Sequence, residues 1–174
     1  MKTLKGQHIR LRALEPEDLE FVLAVENDER IWHLSNTQVP FSRFVIKHYL
    51  ENAHKDIFEV KQLRLVITDT TETPLGLIDL FDFDFKNKRA GVGIIIKEAS
   101  NRDKGYGFEA LKILIAYSFK HLGLHQLYCN ISEDNTASLK LFQKLGFKEV
   151  GLKKDWNLNN GTYNNEYLLQ LIKQ

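Results

Sequence analysis

Two glycines and two cations fall within one short stretch, Arg102-Asp103-Lys104-Gly105-Tyr106-Gly107, directly ahead of an amphipathic run. Glycine lets backbone N–H groups turn inward and approach a ligand closely. A helix starting at this point would add orphan N–H donors and the positive end of its dipole, a combination suited to a pyrophosphate. Arg102 and Lys104 would contribute charge-assisted contacts. The stretch lacks the Lys-Ser/Thr pair of a Walker A loop, and no G-x-G-x-x-G occurs. A strand–glycine loop–helix also closes ordinary turns, so the loop alone does not decide its use. Other residues with chemical potential are the acids Asp79, Asp82 and Asp84, the pair Glu133 and Asp134, the single Cys129, and His121 with His125.

These groups must be held by elements, and hydrophobic periodicity outlines them. His8 to Arg12 alternates as a short strand. Glu15-Pro16-Glu17-Asp18 signals a helix start, with Pro and acids in the first turn. Leu19, Val22, Leu23 and Val25 supply the buried stripe of that helix. A second helix is expected over about Ser42 to His54, with Phe41, Phe44, Val45, His48 and Tyr49 at helical spacing. Leu63, Leu65 and Ile67 alternate as a strand, Leu75 to Phe85 gives a second and Arg89 to Ile96 a third, together an antiparallel meander. Tyr106 to Leu122 reads as a helix with Phe108, Leu111, Leu114, Ile115, Phe119 and Leu122 on one face. A strand over His125 to Ile131, a short helix over Asn135 to Leu145 stopped by Gly146, and strands over Phe147 to Lys153 and Tyr163 to Ile172 complete the chain. The order β-α-α-β-β-β-α-β-α-β-β is that of an α+β domain with a mixed, mostly antiparallel central sheet flanked by helices. No repeat or linker divides residues 1–174, so a single domain is expected.

Composition narrows the function classes. The chain has 174 residues, 43% hydrophobic and 27% charged, enough for one sizeable core. Its net charge is +1, from 24 basic and 23 acidic side chains, with no one-sided segment, which argues against nucleic acid as a partner. No apolar run approaches a membrane span and the N-terminus lacks a signal-peptide core, so a cytoplasmic protein without a membrane partner is expected. One cysteine cannot form an internal disulfide. Assembly as a homodimer is allowed.

Several motifs in order resemble the GCN5-related N-acetyltransferase (GNAT) superfamily. Arg102 to Gly107 matches its Q/R-x-x-G-x-G/A pyrophosphate loop. Asn135-Thr136-Ala137-Ser138-Leu139-Lys140-Leu141-Phe142-Gln143-Lys144-Leu145-Gly146-Phe147 is similar to its N-x-x-a-x-x-l-y/f-x-x-x-G-F signature. The opening Ile9-Arg10-Leu11-Arg12-Ala13-Leu14-Glu15-Pro16-Glu17-Asp18-Leu19 and the turn Asn160-Gly161-Thr162-Tyr163 resemble the subgroup holding spermidine N-acetyltransferases and ribosomal-protein N-terminal acetyltransferases. The resemblance implies acetyl-coenzyme A as cosubstrate and an amine, either a small molecule or a protein N-terminus, as acceptor, with no metal. It assigns backbone groups of Ile94, Ile95 and Ile96 to the pantetheine arm and amides of Arg102, Asp103, Lys104, Gly105, Tyr106 and Gly107 to the pyrophosphate. Asn135 would reach the pantetheine with Asn130 nearby, and Phe142 would stand beside the thioester. Asn135 would also cap the short helix.

The chain departs from the family pattern at two positions. The Tyr that serves as acid is replaced by Phe142, and the carboxylate found early in the third meander strand falls on Gly91. Candidates for the base are Asp79, Asp82 and Asp84 on the second meander strand and Glu133 and Asp134 after the fifth strand, with Asp82 first and Asp79 next; acids alternating with phenylalanine at 81–85 are more often a solvated strand face. Transfer would then rest on proximity and carbonyl polarisation. The alternative is an acyl-coenzyme A-binding protein of the same fold with little transferase activity. His121 and His125 have metal-ligand spacing but no third ligand. Cys129, between Leu127 and Ile131 in a period-two strand, is expected in the core rather than as a nucleophile. Trp32 and Trp156 are candidates for the acceptor groove, with ordinary packing the alternative. Residues 31–43 carry no carboxylate, unlike the acidic region of polyamine-acetylating members, which favours an N-terminus, an amino sugar or another small amine.

Overall fold

Alternating apolar residues outline most of the strands, and seven strands join in one sheet of order β1-β2-β3-β4-β5-β7-β6. The computed structural model describes residues 2–35, 37–101 and 104–174. The strands are β1 (Ile9–Ala13), β2 (Leu63–Asp69), β3 (Pro74–Asp84), β4 (Arg89–Ile96), β5 (Gln126–Ser132), β6 (Lys148–Asn159) and β7 (Thr162–Ile172). All neighbours pair antiparallel except β4 and β5. The helices are α1 (Leu19–Glu26), α2 (Trp32–Ser35), α3 (Arg43–Glu51), α4 (Ile57–Val60), α5 (Tyr106–Lys120) and α6 (Thr136–Lys144). The α+β architecture and the meander β2-β3-β4 agree with the sequence reading, and β6 runs further than expected, to Asn159.

Two layers of helices cover the sheet. On one face Leu65, Ile67, Ile78, Leu80, Leu127 and Leu169 meet Ala110, Leu111 and Leu114 of α5, which crosses over between the parallel strands β4 and β5. On the other face Val66 and Leu77 pack under Val25 of α1 and Ile31. α3 docks on α1 through Ile46 and Leu50, with Phe41 and Tyr49 beside them. This corrects the face expected for α3: Phe44 is 78% and Val45 47% exposed. Positions 46, 49 and 50 satisfy helical spacing as well as 44, 45 and 48 do, and contact with α1 chooses between them.

Asp18 secures the start of this helical pair. It is 4% exposed, accepts from the Glu15 N–H at 2.8 Å and takes both Arg12 nitrogens, at 2.7 and 2.8 Å.

The functional feature of the sheet is a split. β4 and β5 pair only at Arg89↔Gln126, Ala90↔Leu127 and Gly91↔Tyr128. Beyond that, β4 stays tied to β3 as far as Gly76↔Ile96, and β5 to β7 as far as Ser132↔Glu166. The sheet is therefore two antiparallel halves joined by three parallel pairs, which are slightly weaker per residue. The halves separate and leave a wedge-shaped gap.

Candidate active site

Two cavities meet in that gap. The smaller, about 280 Å³, lies between the β4 end and the starts of α5 and α6, and is lined by Ile94, Ile95, Ile96, Gly105, Gly107 and Leu141 among others. The larger, about 370 Å³, includes Glu26, Arg64, Asp79, Asn130 and Glu166. They share Leu34, Ile94, Ile95, Asn135 and Ser138, so the two adjoin at this wall.

The smaller cavity suits an extended, amide-bearing arm ending in a pyrophosphate. From Val92 to Ile95 the β4 edge that faces β5 has no strand partner among the described residues, because the ladder ends at Gly91. Gly105 is the N-cap of the 15-residue α5 with φ 82°, a conformation glycine adopts without a Cβ clash, and among the described residues beyond its chain neighbours nothing lies within 4 Å of where a Cβ would be. The first N–H groups of a long helix are thus open to an anion. Lys104 Nζ donates to Asn101 Oδ1 at 3.2 Å, and Asn101 also lines the cavity, a residue the sequence reading did not single out. Arg102 and Asp103 lie outside the described residues. Tyr106 and Gly107 form the first turn of α5. Asn135 caps α6, its Oδ1 accepting from the Ser138 N–H at 3.1 Å, while its side chain lines both cavities.

The larger cavity is bordered by two charged groups, one on each half of the sheet. On β2 and β3, Arg64 donates from Nε and Nη2 to Asp79 at 2.6 and 3.1 Å, and from Nη1 to Glu26 of α1 at 2.6 Å. Burial works against the Arg64 charge, but Asp79, Tyr49 and Glu26 outweigh it and raise its pKa. Asp79 thus has both oxygens engaged, whereas Oε2 of Glu26 has no partner among the described residues. On the β6–β7 side, Lys153 bridges Glu166 and Asn130, and Asn157 donates to Glu166 at 2.8 Å. Arg64, Glu26, Glu166 and Lys153 were not singled out from sequence. For Arg64 and Glu166 the available signal was a charge set beside apolar residues, as in Leu63-Arg64-Leu65 and Glu166-Tyr167-Leu168.

Several expected residues stand elsewhere. Asp82 is exposed at a bulge between Phe81 and Asp84, with φ 49°, and accepts from the Tyr128 hydroxyl at 3.4 Å; it does not line the cleft. The bulge inserts one residue and reverses the alternation, so Phe83 joins Ile78 and Leu80 in the core. Asp84 holds Asn87 and Arg89, and Glu133 accepts from Asn165. Of the acids named from sequence, Asp79 alone reaches the cleft. The Trp32 indole donates to the Glu26 carbonyl at 2.8 Å and Trp156 is 58% exposed beside Lys153; neither lines the cleft, which instead takes His33, Leu34 and Ser35 from α2.

Phe142 is 3% exposed, packs edge-on against Phe147 and reaches the cleft wall without a group that could donate a proton. Cys129 is 1% exposed, and burial pushes its thiol pKa up to about 12. A thiol so protonated is a poor nucleophile. Among the described residues, no group of three His, Cys, Asp or Glu could hold a metal ion.

A gap between parallel strands, a helix N-terminus at one end and an acid-lined cleft at the other describe an acyltransferase of the GNAT class. Residues 8–148 match the family model described as an acetyltransferase (GNAT) domain, and the chain belongs to that family, whose members transfer acetyl groups. It is 29% identical over 171 residues to the spermidine N(1)-acetyltransferase of Vibrio cholerae serotype O1, covering 95% of each chain. It is 30% identical over 160 residues to the enzyme of the same name from Escherichia coli K12, covering 90% of this chain and 82% of that one. The crystal structure of the Vibrio cholerae spermidine N-acetyltransferase in complex with CoA and spermine superposes with a TM-score of 0.85 at 25% identity, covering 94% of this chain and 95% of that one. The chain is therefore an N-acetyltransferase that uses an amine as acceptor, and the reading of a bare coenzyme-binding protein is not favoured.

Proposed function

We propose that the protein transfers acetyl from acetyl-coenzyme A directly to a small primary amine, with the coenzyme entering on the α5–α6 side of the sheet and the amine on the other. The observation that carries this reading is that the two cavities adjoin at Ile94, Ile95 and Asn135. Backbone groups of Ile94 and Ile95 would pair with the pantetheine amides, and the amides of Gly105, Tyr106 and Gly107 would hold the pyrophosphate. Asn135 keeps its side-chain amide nitrogen available while its oxygen caps α6.

An alkylamine with pKa near ~10.4 is mostly protonated at neutral pH, which costs about 4 kcal/mol unless the site takes the proton. Glu26 fits this role, because its Oε2 has no partner among the described residues and Arg64 holds its other oxygen. Asp79, engaged twice by Arg64, positions that guanidinium. Without a hydroxyl at Phe142, the thiolate departs unassisted, which a thiol pKa near ~8.5 makes tolerable. A general acid is typically worth about 10²–10⁴ in rate, so turnover would be modest rather than absent. Cys129 takes no part.

Three carboxylates line the cleft, Glu26, Asp79 and Glu166; Arg64 lines it with them, and Lys153, outside the lining, pairs with Glu166. A single excess negative charge matches a monoamine better than a polycation. Polyamine acetylation is the second reading, favoured by the names of the relatives above; a protein N-terminus is a third acceptor of the same chemistry. The deciding assay is thiol release from acetyl-coenzyme A with spermidine, spermine, monoamines, amino sugars and N-terminal peptides. Release with none of them would overturn the transferase reading. A cytoplasmic location and a homodimer accompany this proposal, the first supported by the free, buried Cys129 and the second by apolar side chains left exposed on the β6–β7 hairpin, Trp156, Leu158 and Tyr163.

A further inference from the structure

The closed end of the gap between β4 and β5 has its own construction. Phe81 on β3 pairs with Gly91 on β4, the last residue of β4 that also pairs with β5. A Cβ at Gly91 would stand 2.2 Å from Phe81 Cε2 and 2.4 Å from its Cζ, so the ring lies in the space that glycine leaves empty. The ring meets Tyr128 edge-on, at 6.0 Å between centroids and 82° between planes, and Tyr128 is Gly91's partner on β5. The bulge that follows places Asp82 where it accepts from the Tyr128 hydroxyl at 3.4 Å. Bulges beside active sites commonly re-aim a side chain. Glycine, bulge and tyrosine together hold one phenyl ring across the point where the strands part, and Phe81 forms part of the cleft wall with Val92 and Gly93.

Given the coenzyme reading above, on which this inference rests, the arm runs beside β4 from the Gly105–Gly107 loop toward Gly93, and an acyl chain continues in the direction of Gly91. We propose that the Phe81 ring is the stop that limits the acyl group to acetyl. It acts by filling the end of the gap, and its position depends on Gly91 having no side chain. This makes Phe81 a specificity-determining residue for the acyl donor, distinct from the charged groups that face the acceptor.

The test is equilibrium binding of coenzyme A, acetyl-coenzyme A and butyryl-coenzyme A by calorimetry, which requires no acceptor. One methylene more than a pocket admits is worth roughly 10–200-fold, so wild-type protein should bind butyryl-coenzyme A at least about tenfold more weakly than acetyl-coenzyme A. Phe81→Ala should bring the two within about threefold while leaving the affinity for coenzyme A itself unchanged. Phe81→Leu, which keeps an apolar side chain against Tyr128, should fall between and guards against a variant that does not fold. Equal wild-type affinity for the two thioesters, or unaltered discrimination in both variants, overturns the proposal. Failure of wild-type protein to bind coenzyme A would remove the coenzyme reading along with it.

Discussion

Replacing Arg64 with methionine tests whether the charge balance of the cleft is set by this one guanidinium. Methionine retains a long apolar stem, so packing is largely kept and charge is what is lost. Arg64 makes two hydrogen bonds to Asp79 and one to Glu26, and its side chain is 20% exposed against 17% for each acid. Breaking a fully buried pair from one side costs about 3–5 kcal/mol, because the partner is left uncompensated. With some solvent reaching all three groups, about 2–4 kcal/mol is expected here. For a chain of this size each kcal/mol lowers the melting temperature by about 2–4 °C, so a fall of roughly 5–15 °C should appear in calorimetry. Activity should change in kind as well as amount. On material kept folded at low temperature, the kcat/KM ratio of spermidine to a monoamine should rise, since the excess negative charge in the cleft grows from one to two. A melting temperature within about 2 °C of wild type together with an unchanged ratio would refute the argument.

Coenzyme A should raise the melting temperature of the wild-type protein by mass action, by about 2.7 kcal/mol at a hundred times Kd. Gly105→Val, which puts a β-branched residue at φ 82°, should abolish that shift, and an undiminished shift would mean the loop does not hold the pyrophosphate. Cys129→Ser should keep most of the transferase activity, with any deficit traceable to stability. Intact mass after incubation with acetyl-coenzyme A alone should show no adduct, and an acetyl group that chases from Cys129 onto an added amine would overturn direct transfer. Asp18→Asn should lose stability at neutral pH. Burial opposes the Asp18 charge, but Arg12 and the Glu15 N–H outweigh it, so its folded pKa lies below the unfolded value. Its contribution is therefore present above the unfolded pKa, near ~3.9, and is lost as pH falls through the folded one. The gap between the variant and wild type should narrow in acid, and a gap independent of pH would contradict the linkage.

The features proposed to hold the coenzyme could be read from the chain because they are contiguous. The glycines at 105 and 107, the apolar strand ahead of them and the Asn135 cap each act within one element and its adjoining turn. Local periodicity also placed Cys129 between Leu127 and Ile131 on a buried row, where it lies. The acceptor half was not legible in the same way. Glu26, Arg64, Asp79 and Glu166 come from one helix and three strands spread over most of the sequence, and only sheet order and helix docking bring them around one cleft.

Two details mark where sequence reasoning ends. Alternation through Phe81-Asp82-Phe83 is real in the chain, yet a single inserted residue at the bulge reverses it. Asp82 then turns to Tyr128 and Phe83 turns to the core. The apolar residues of α3 form two stripes of equal spacing, and α1 buries the one with Ile46 and Leu50. Composition and spacing thus determined the element types, the glycine turn ahead of α5 and the class of chemistry. The tertiary structure decided which face of each element meets another, which carboxylate enters the cleft and what closes the gap between β4 and β5. A periodic pattern encodes that a face is apolar, but which partner covers it depends on contacts between residues far apart in the chain.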